Sequence, residues 1–242
     1  MTTRAQFLQR VRREMGKKAG LFPARSANRP ADPGALAQAI RRQLAERWPT
    51  AVEQFREEFE RVGGSFYRVA GMEDALATIR QIARQRDVQR VLAWAQPMLG
   101  AELAAGLRAE GLEVMEEEAS GAVDREARAR YCHASAQADL GVTSADLAVA
   151  ETGSLVVISK PGKARSASLL PPYHVAIFSK AALVESLEQV GVILEALHTD
   201  QDWTGTNISF ITGPSRTADI ELTLTLGVHG PREVHAIFVE SP

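Results

Sequence analysis

With one cysteine, three tryptophans and three tyrosines in 242 residues, the chain has little of the chemistry that those side chains carry. A single thiol, Cys132, cannot close an internal disulfide. Without ligands from elsewhere it cannot hold an iron–sulfur cluster or a cysteine-rich zinc site. Such usage is expected of a reducing, cytoplasmic compartment. Neither sign of charge is in excess: 28 basic and 30 acidic residues give a net charge of −2, so no global field draws the chain to nucleic acid. Long apolar runs are missing too. Those near 146–158 and 174–178 are too short to span a bilayer, and the start MTTRAQFLQRVRREM has no signal-peptide core. The length suffices to bury a sizeable core, as one large domain or one domain plus an appendage.

Residues 3–15 set Phe7, Leu8, Val11 and Met15 at helical spacing, and Met1 to Arg29 holds eight Lys or Arg against one acid, Glu14. This basic arm is an ordinary solvated helix face or a surface for a partner or an anionic membrane. Gly20 to Pro33 reads as a linker, and Ala35–Trp48 and Thr50–Arg61 as two helices joined at Pro49. Beyond Gly63 the pattern alternates short β segments (FYRVA, VQRVLAW, LEVM) with helices near 73–86, 98–110 and 124–137. That alternation predicts an α/β fold: an open, mostly parallel sheet with helices on both faces, preceded by N-terminal helices. The boundary is drawn at residue 62, between a helical region with its linker (1–62) and the α/β domain (63–242). Cys132, beside His133 in the helix 124–137, is either a reactive thiol or, as the favoured expectation, a buried structural one.

Chemistry concentrates in Phe210–His235, FITGPSRTADIELTLTLGVHGPREVH. The preceding run NISFITG reads as a buried strand, and Pro214 cannot continue it. A helix from about Ala218 to Gly227 would turn its free N–H groups toward Ser215, Arg216 and Thr217, a geometry suited to a carboxylate or phosphate at the carboxyl rim of the sheet. Against the helix, Ile220, Leu222, Leu224 and Leu226 alternate with polar residues at strand period. The plainer alternative is a capped connection in which Arg216 pairs with Asp219 or Glu221. Gly213 and His229 flank the same loops.

A second stretch, DLAVAETGSLVVIS, puts Glu151-Thr152-Gly153 at a turn between two strand-like runs, with Ser154 opening the second. Glu151 is therefore a candidate base or nucleophile, or simply a surface Glu on a hairpin. The tract KPGKARSASLLPP reads as a mobile basic loop, either a lid or a plain connection. A helix is expected over about 181–197 and a closing strand over EVHAIFVE. His174 and His198 are lone histidines, and His229 and His235 lack a third ligand at useful spacing, so no metal site is expected.

The segments DLAVAETGSLVV, LLPPYHVAIF and TGPSRTADIELTLTLGVHGPREVHAIF resemble the LUD-domain family, specifically its lactate-utilization branch. The resemblance implies a fold similar to the sugar-phosphate isomerase and CoA-transferase superfamily. It also implies a non-redox role in a three-protein system that oxidises L-lactate to pyruvate. No cofactor would be bound by this chain, the iron–sulfur clusters residing on partner proteins. The two loops, Glu151 to Ser154 and Gly213 to Glu221 with His229, would then contact a partner or a small anion. The alternative is a stand-alone acyl- or phosphate-handling enzyme in which Glu151 serves as base or nucleophile and Arg216 clamps the anion.

Overall fold

The computed structural model describes residues 3–16, 30–94, 100–117, 125–200, 203–218 and 224–241. The basic arm forms helix α1 (Arg4–Gly16) with Phe7, Leu8 and Val11 exposed. Asp32 caps helix α2 (Pro33–Arg61): its carboxylate accepts the N–H of Ala35, and Pro33 occupies the first turn. One helix replaces the expected pair, because Pro49 lies inside it. The apolar face Ala37, Ile40, Leu44, Trp48, Val52, Phe55, Phe59, buried except for the half-buried Trp48, keeps its three-to-four spacing through Pro49, so packing along the whole face outweighs the lost hydrogen bond.

The main sheet holds strands β1 (Ser65–Val69), β2 (Arg90–Trp94), β3 (Glu113–Glu117), β4 (Leu140–Ser144), β7 (Tyr173–Ser179) and β12 (Glu233–Val239). Their order is β1-β12-β7-β4-β2-β3, and every neighbouring pair is parallel. Helices α3 (Met72–Gln85), α4 (Gly100–Ala109) and α5 (Arg125–Gln137) supply the early crossovers. Side chains of β12 alternate between the faces. Val234, Ala236 and Phe238 join one core cluster with α2, while Ile237 and Val239 join the other with α3 and α4. Thus α2, on the N-terminal side of residue 62, contributes Phe55 and Phe59 to the core of the sheet domain.

A second sheet was not foreseen. Strands β5 (Leu147–Val149), β6 (Ser154–Ser159), β8 (Leu183–Val184) and β9 (Asn207–Ile211) pair in the order β8-β5-β6-β9. Strand β9 closes one edge with Ile208 and Phe210 exposed, which corrects its reading as a buried strand: apolar content alone does not reveal an unpaired flank. The helix expected over 181–197 starts later. A 3₁₀ turn (Lys180–Ala182) and β8 precede helix α7 (Leu187–His198), capped by Ser186.

The tract after β6 is no open lid. It carries helix α6 (Ser166–Leu169) back along the sheet to the start of β7, with Ala167 fully buried. A Cβ on Gly141 would fall 1.7 Å from the carbonyl oxygen of Ala167, so only glycine lets the crossover lie this close to β4. Strands β10 (Arg216–Ala218) and β11 (Leu224–Leu226) form an antiparallel hairpin with Arg216 opposite Leu226. That pairing replaces the helix expected from Ala218 to Gly227, and the strand periodicity was the better guide. The helix-dipole anion site falls with it. Cys132 is exposed, not buried.

Candidate functional site

The two stretches singled out by sequence meet through the second sheet. Ser154 opens β6, which pairs with β9 so that Leu155 lies opposite Ile211, and the chain leaves β9 directly into Thr212-Gly213-Pro214. A chain of hydroxyls joins the loops: Thr152 Oγ1 donates to Ser154 Oγ at 2.8 Å, and Ser154 Oγ lies 2.7 Å from Thr212 Oγ1. Both loops pack against the end of α2. A Cβ on Gly153 would sit 2.3 Å from Phe59 N, and one on Gly213 would sit 2.4 Å from Val62 O, each at positive φ. Only glycine fits at these two turns.

Ser215 donates its N–H to Pro231 O at 2.8 Å, and its carbonyl accepts the N–H of Gly227 at 3.0 Å. Arg216 extends over Gly63, with Nη2 2.6 Å from where a Cβ would stand. Gly63 immediately precedes β1, and Pro231 precedes β12, so Arg216 lies at the amino edge of the parallel sheet, not at its carboxyl rim. No side-chain hydrogen bond or ion pair links the Arg216 guanidinium to another described residue. Thr217 pairs with Thr225 in the hairpin, and His229 is exposed. Asp219 and Glu221 lie outside the described residues.

Glu151 is turned elsewhere. Its Oε2 accepts the N–H of Leu187 at 3.0 Å, and its own N–H donates to Glu185 O, which seats the carboxylate at the amino end of α7. There it offsets free N–H groups and the positive end of the dipole. Among the described residues no hydrogen bond joins it to Arg216 or to a side-chain base.

Two groupings escaped the sequence reading. At the amino edge His174 is fully buried, its Nε2 2.9 Å from Thr143 Oγ1 and its Nδ1 unpartnered among the described residues. Burial, with a smaller push from nearby His235, lowers its pKa to about 3, so it is neutral. His235 is also pushed down by burial, more strongly than Glu233 raises it. The 3.5 Å from His235 Nε2 to Glu233 is too long for a good hydrogen bond. Arg86 holds Glu233 through both carboxylate oxygens, at 3.0 and 2.9 Å.

The second grouping lies at the opposite rim. The chain steps from β2 outward to β3, then returns across β2 to β4, which makes the gap between the carboxyl ends of β2 and β4 the point where the winding reverses. Asp146 follows β4 there. Its Oδ1 is 2.7 Å from Lys163 Nζ, and its Oδ2 accepts the N–H of Ile158. Lys163 Nζ stands 5.2 Å from the ring centre of Trp94, the last residue of β2. A lone acid inside the apolar run LGVTSADLAVA was the available signal, since a half-buried carboxylate demands a cation. Among the described residues no group of three or more His, Cys, Asp or Glu is placed to hold a metal ion. No described helix is long and apolar enough to cross a membrane.

The family model of the LUD domain matches residues 52–239. The chain belongs to the LUD domain family. The match begins within α2, and so takes in its C-terminal third and both motif loops. Among curated relatives, Lactate utilization protein C from Halalkalibacterium halodurans is 46% identical over 104 residues, 43% of this chain and 45% of that protein. The protein of the same name from Bacillus velezensis is 36% identical over 116 residues, 48% of each chain. The chain thus spans about half the length of the curated relatives it matches. Among solved structures, a DUF162 family protein from Deinococcus radiodurans aligns with TM-score 0.52 and 19% identity, over 79% of this chain and 97% of that one. At that identity the likeness speaks for the shared α/β fold alone.

Proposed function

We propose that this LUD-domain chain serves lactate utilization as a cytoplasmic subunit without a redox cofactor of its own. In this reading it assembles with iron–sulfur proteins in a three-protein system that oxidises L-lactate to pyruvate. The observation that carries it is the 46% identity over 104 residues to a Lactate utilization protein C. Two features of the chain support a partner. Its one cysteine can supply no more than a single thiolate, which fits a system whose clusters are carried by partner proteins. Ile208 and Phe210 on the edge strand β9, with Leu226 and Val228 beyond it, leave 39–52% of each side chain exposed, an apolar surface beside the motif loops.

Under the same proposal the contact to a partner or small anion is made by Thr152, Gly153, Ser154, Gly213, Ser215, Arg216 and Thr217, flanked by Asp219, Glu221 and His229. Glu151 stands beside this surface without joining it, as a holder of α7. Its engagement with Leu187 and the lack of an adjacent base weigh against the stand-alone enzyme reading.

The test is genetic and biochemical. A strain lacking this gene should grow poorly on L-lactate as sole carbon source and regain growth on complementation. Gentle affinity purification from lactate-grown cells should bring down cluster-bearing proteins. Normal growth of the deletion strain on L-lactate would refute the role, and purification of the chain alone would refute the assembly.

A further inference from the structure

From the geometry beside the carboxyl end of β4 we infer a binding site for a small aliphatic monocarboxylate, separate from the motif loops. It does not rest on the subunit reading above. A cleft of about 250 Å³ opens between β5, β6, α2 and α7, floored by Ile158 and Ile193 and walled by Trp203. Asp146, two residues beyond β4, places one corner of it on the carboxyl side of the parallel sheet, and its walls come from the second sheet, α2 and α7. The wall is anchored on both sides, because Trp203 donates its N–H to Asp200 O and Thr206 donates to Ser159 O at 2.8 Å. The cleft is preformed.

Charge selects the ligand. Arg41 and Lys160 line the cleft and are exposed, and neither has an ion pair with another described residue. Asp146 also lines it, but both its oxygens are engaged, by Lys163 Nζ and Ile158 N, so its charge is balanced within the fold. Asp200 on the same lining leaves the balance at one net positive charge and disfavours a dianion. A carboxylate can bridge the guanidinium and the ammonium while an alkyl body covers Ile158 and Ile193. Phosphate offers no apolar body and carries too much charge.

The experiment uses the whole purified chain. Thermal shift and calorimetric titration are run with acetate, butyrate, hexanoate, lactate and inorganic phosphate, on the wild type, Arg41→Gln, Lys160→Gln and Arg216→Gln. The exposed positions of Arg41 and Lys160 let these variants fold. The site predicts affinity rising from acetate to hexanoate, each cleft variant weakening it about tenfold or more, and Arg216→Gln leaving it unchanged. The inference is overturned if no carboxylate binds, if the cleft variants bind as the wild type does, if Arg216→Gln abolishes binding, or if phosphate binds as tightly as hexanoate. Growth on lactate is not read in this assay, so its failure and that of the subunit reading are told apart.

Discussion

The Nζ of Lys163 lies 2.7 Å from Oδ1 of Asp146 and 5.2 Å from the centre of the Trp94 ring, so a buried cation ties the carboxyl end of β2 to that of β4. Only 5% of Lys163 is exposed, and a charge at that depth persists only when paired. Asp146→Asn keeps the shape but strands the ammonium, and is expected to cost about 3 kcal/mol in urea unfolding. Lys163→Met removes the buried charge itself and should cost less, because Asp146 keeps its bond to Ile158 and can reach water. Equal losses for the two variants would refute this account of the pair.

Gly153 and Gly213 let the two motif loops close onto α2, at φ of 60° and 77°. Alanine at either position brings both a strained backbone and a clash with α2 main chain. Each substitution should destabilise the domain by about 2–4 kcal/mol. As a control, Gly191→Ala has open space at its Cβ within α7 and should be neutral or stabilising. A loss at Gly191 as large as at Gly153 would show that glycine content, not loop docking, sets the stability.

Periodic signals carried most of what was readable in advance. The alternation of FYRVA, VQRVLAW and LEVM with amphipathic helices identified β1 to β3 and their parallel sheet, since period and length are local properties. What escaped was non-local. The antiparallel pairing of β6 with β9, 54 positions apart at Val156 and Phe210, has no local mark, so the second sheet and its exposed edge were missed. The stretch around Ala218 held both helix punctuation and strand alternation, and the hairpin partner Leu226 decided between them. At the site, the glycine turns and hydroxyls were legible as turn chemistry. The partners of Glu151 and Lys163, at Leu187 and Asp146, depend on folded geometry.

Burial of His174 makes stability depend on pH. Its folded pKa of about 3 lies below the unfolded value near 6.5, so the unfolded chain takes up a proton first as pH falls. Stability is complete above about pH 6.5 and is eroded steadily toward pH 3. At pH 5 the contribution of this residue alone should fall by about 2 kcal/mol. His235 is displaced in the same direction. Urea unfolding at pH 7.5 and pH 5 should show the loss, and His174→Gln, although less stable at pH 7.5, should show a visibly shallower slope. An unchanged slope in the variant would assign the acid sensitivity to other groups.

Glu151 and Arg216 should separate when each is neutralised. The Arg216 side chain makes no bond to another described residue, so Arg216→Gln should change unfolding stability by less than about 0.5 kcal/mol. Glu151→Gln removes the negative charge at the amino end of α7 and should cost about 0.5–1 kcal/mol. The order reverses for assembly. If the exposed guanidinium over Gly63 meets a partner or anion, Arg216→Gln should lower recovery of the cluster-bearing proteins in the affinity purification, and more so as salt is reduced, because the lost attraction is strongest at low ionic strength. Glu151→Gln should retain them. Loss of partner with Glu151→Gln and retention with Arg216→Gln would move the contact from the hairpin to the start of α7.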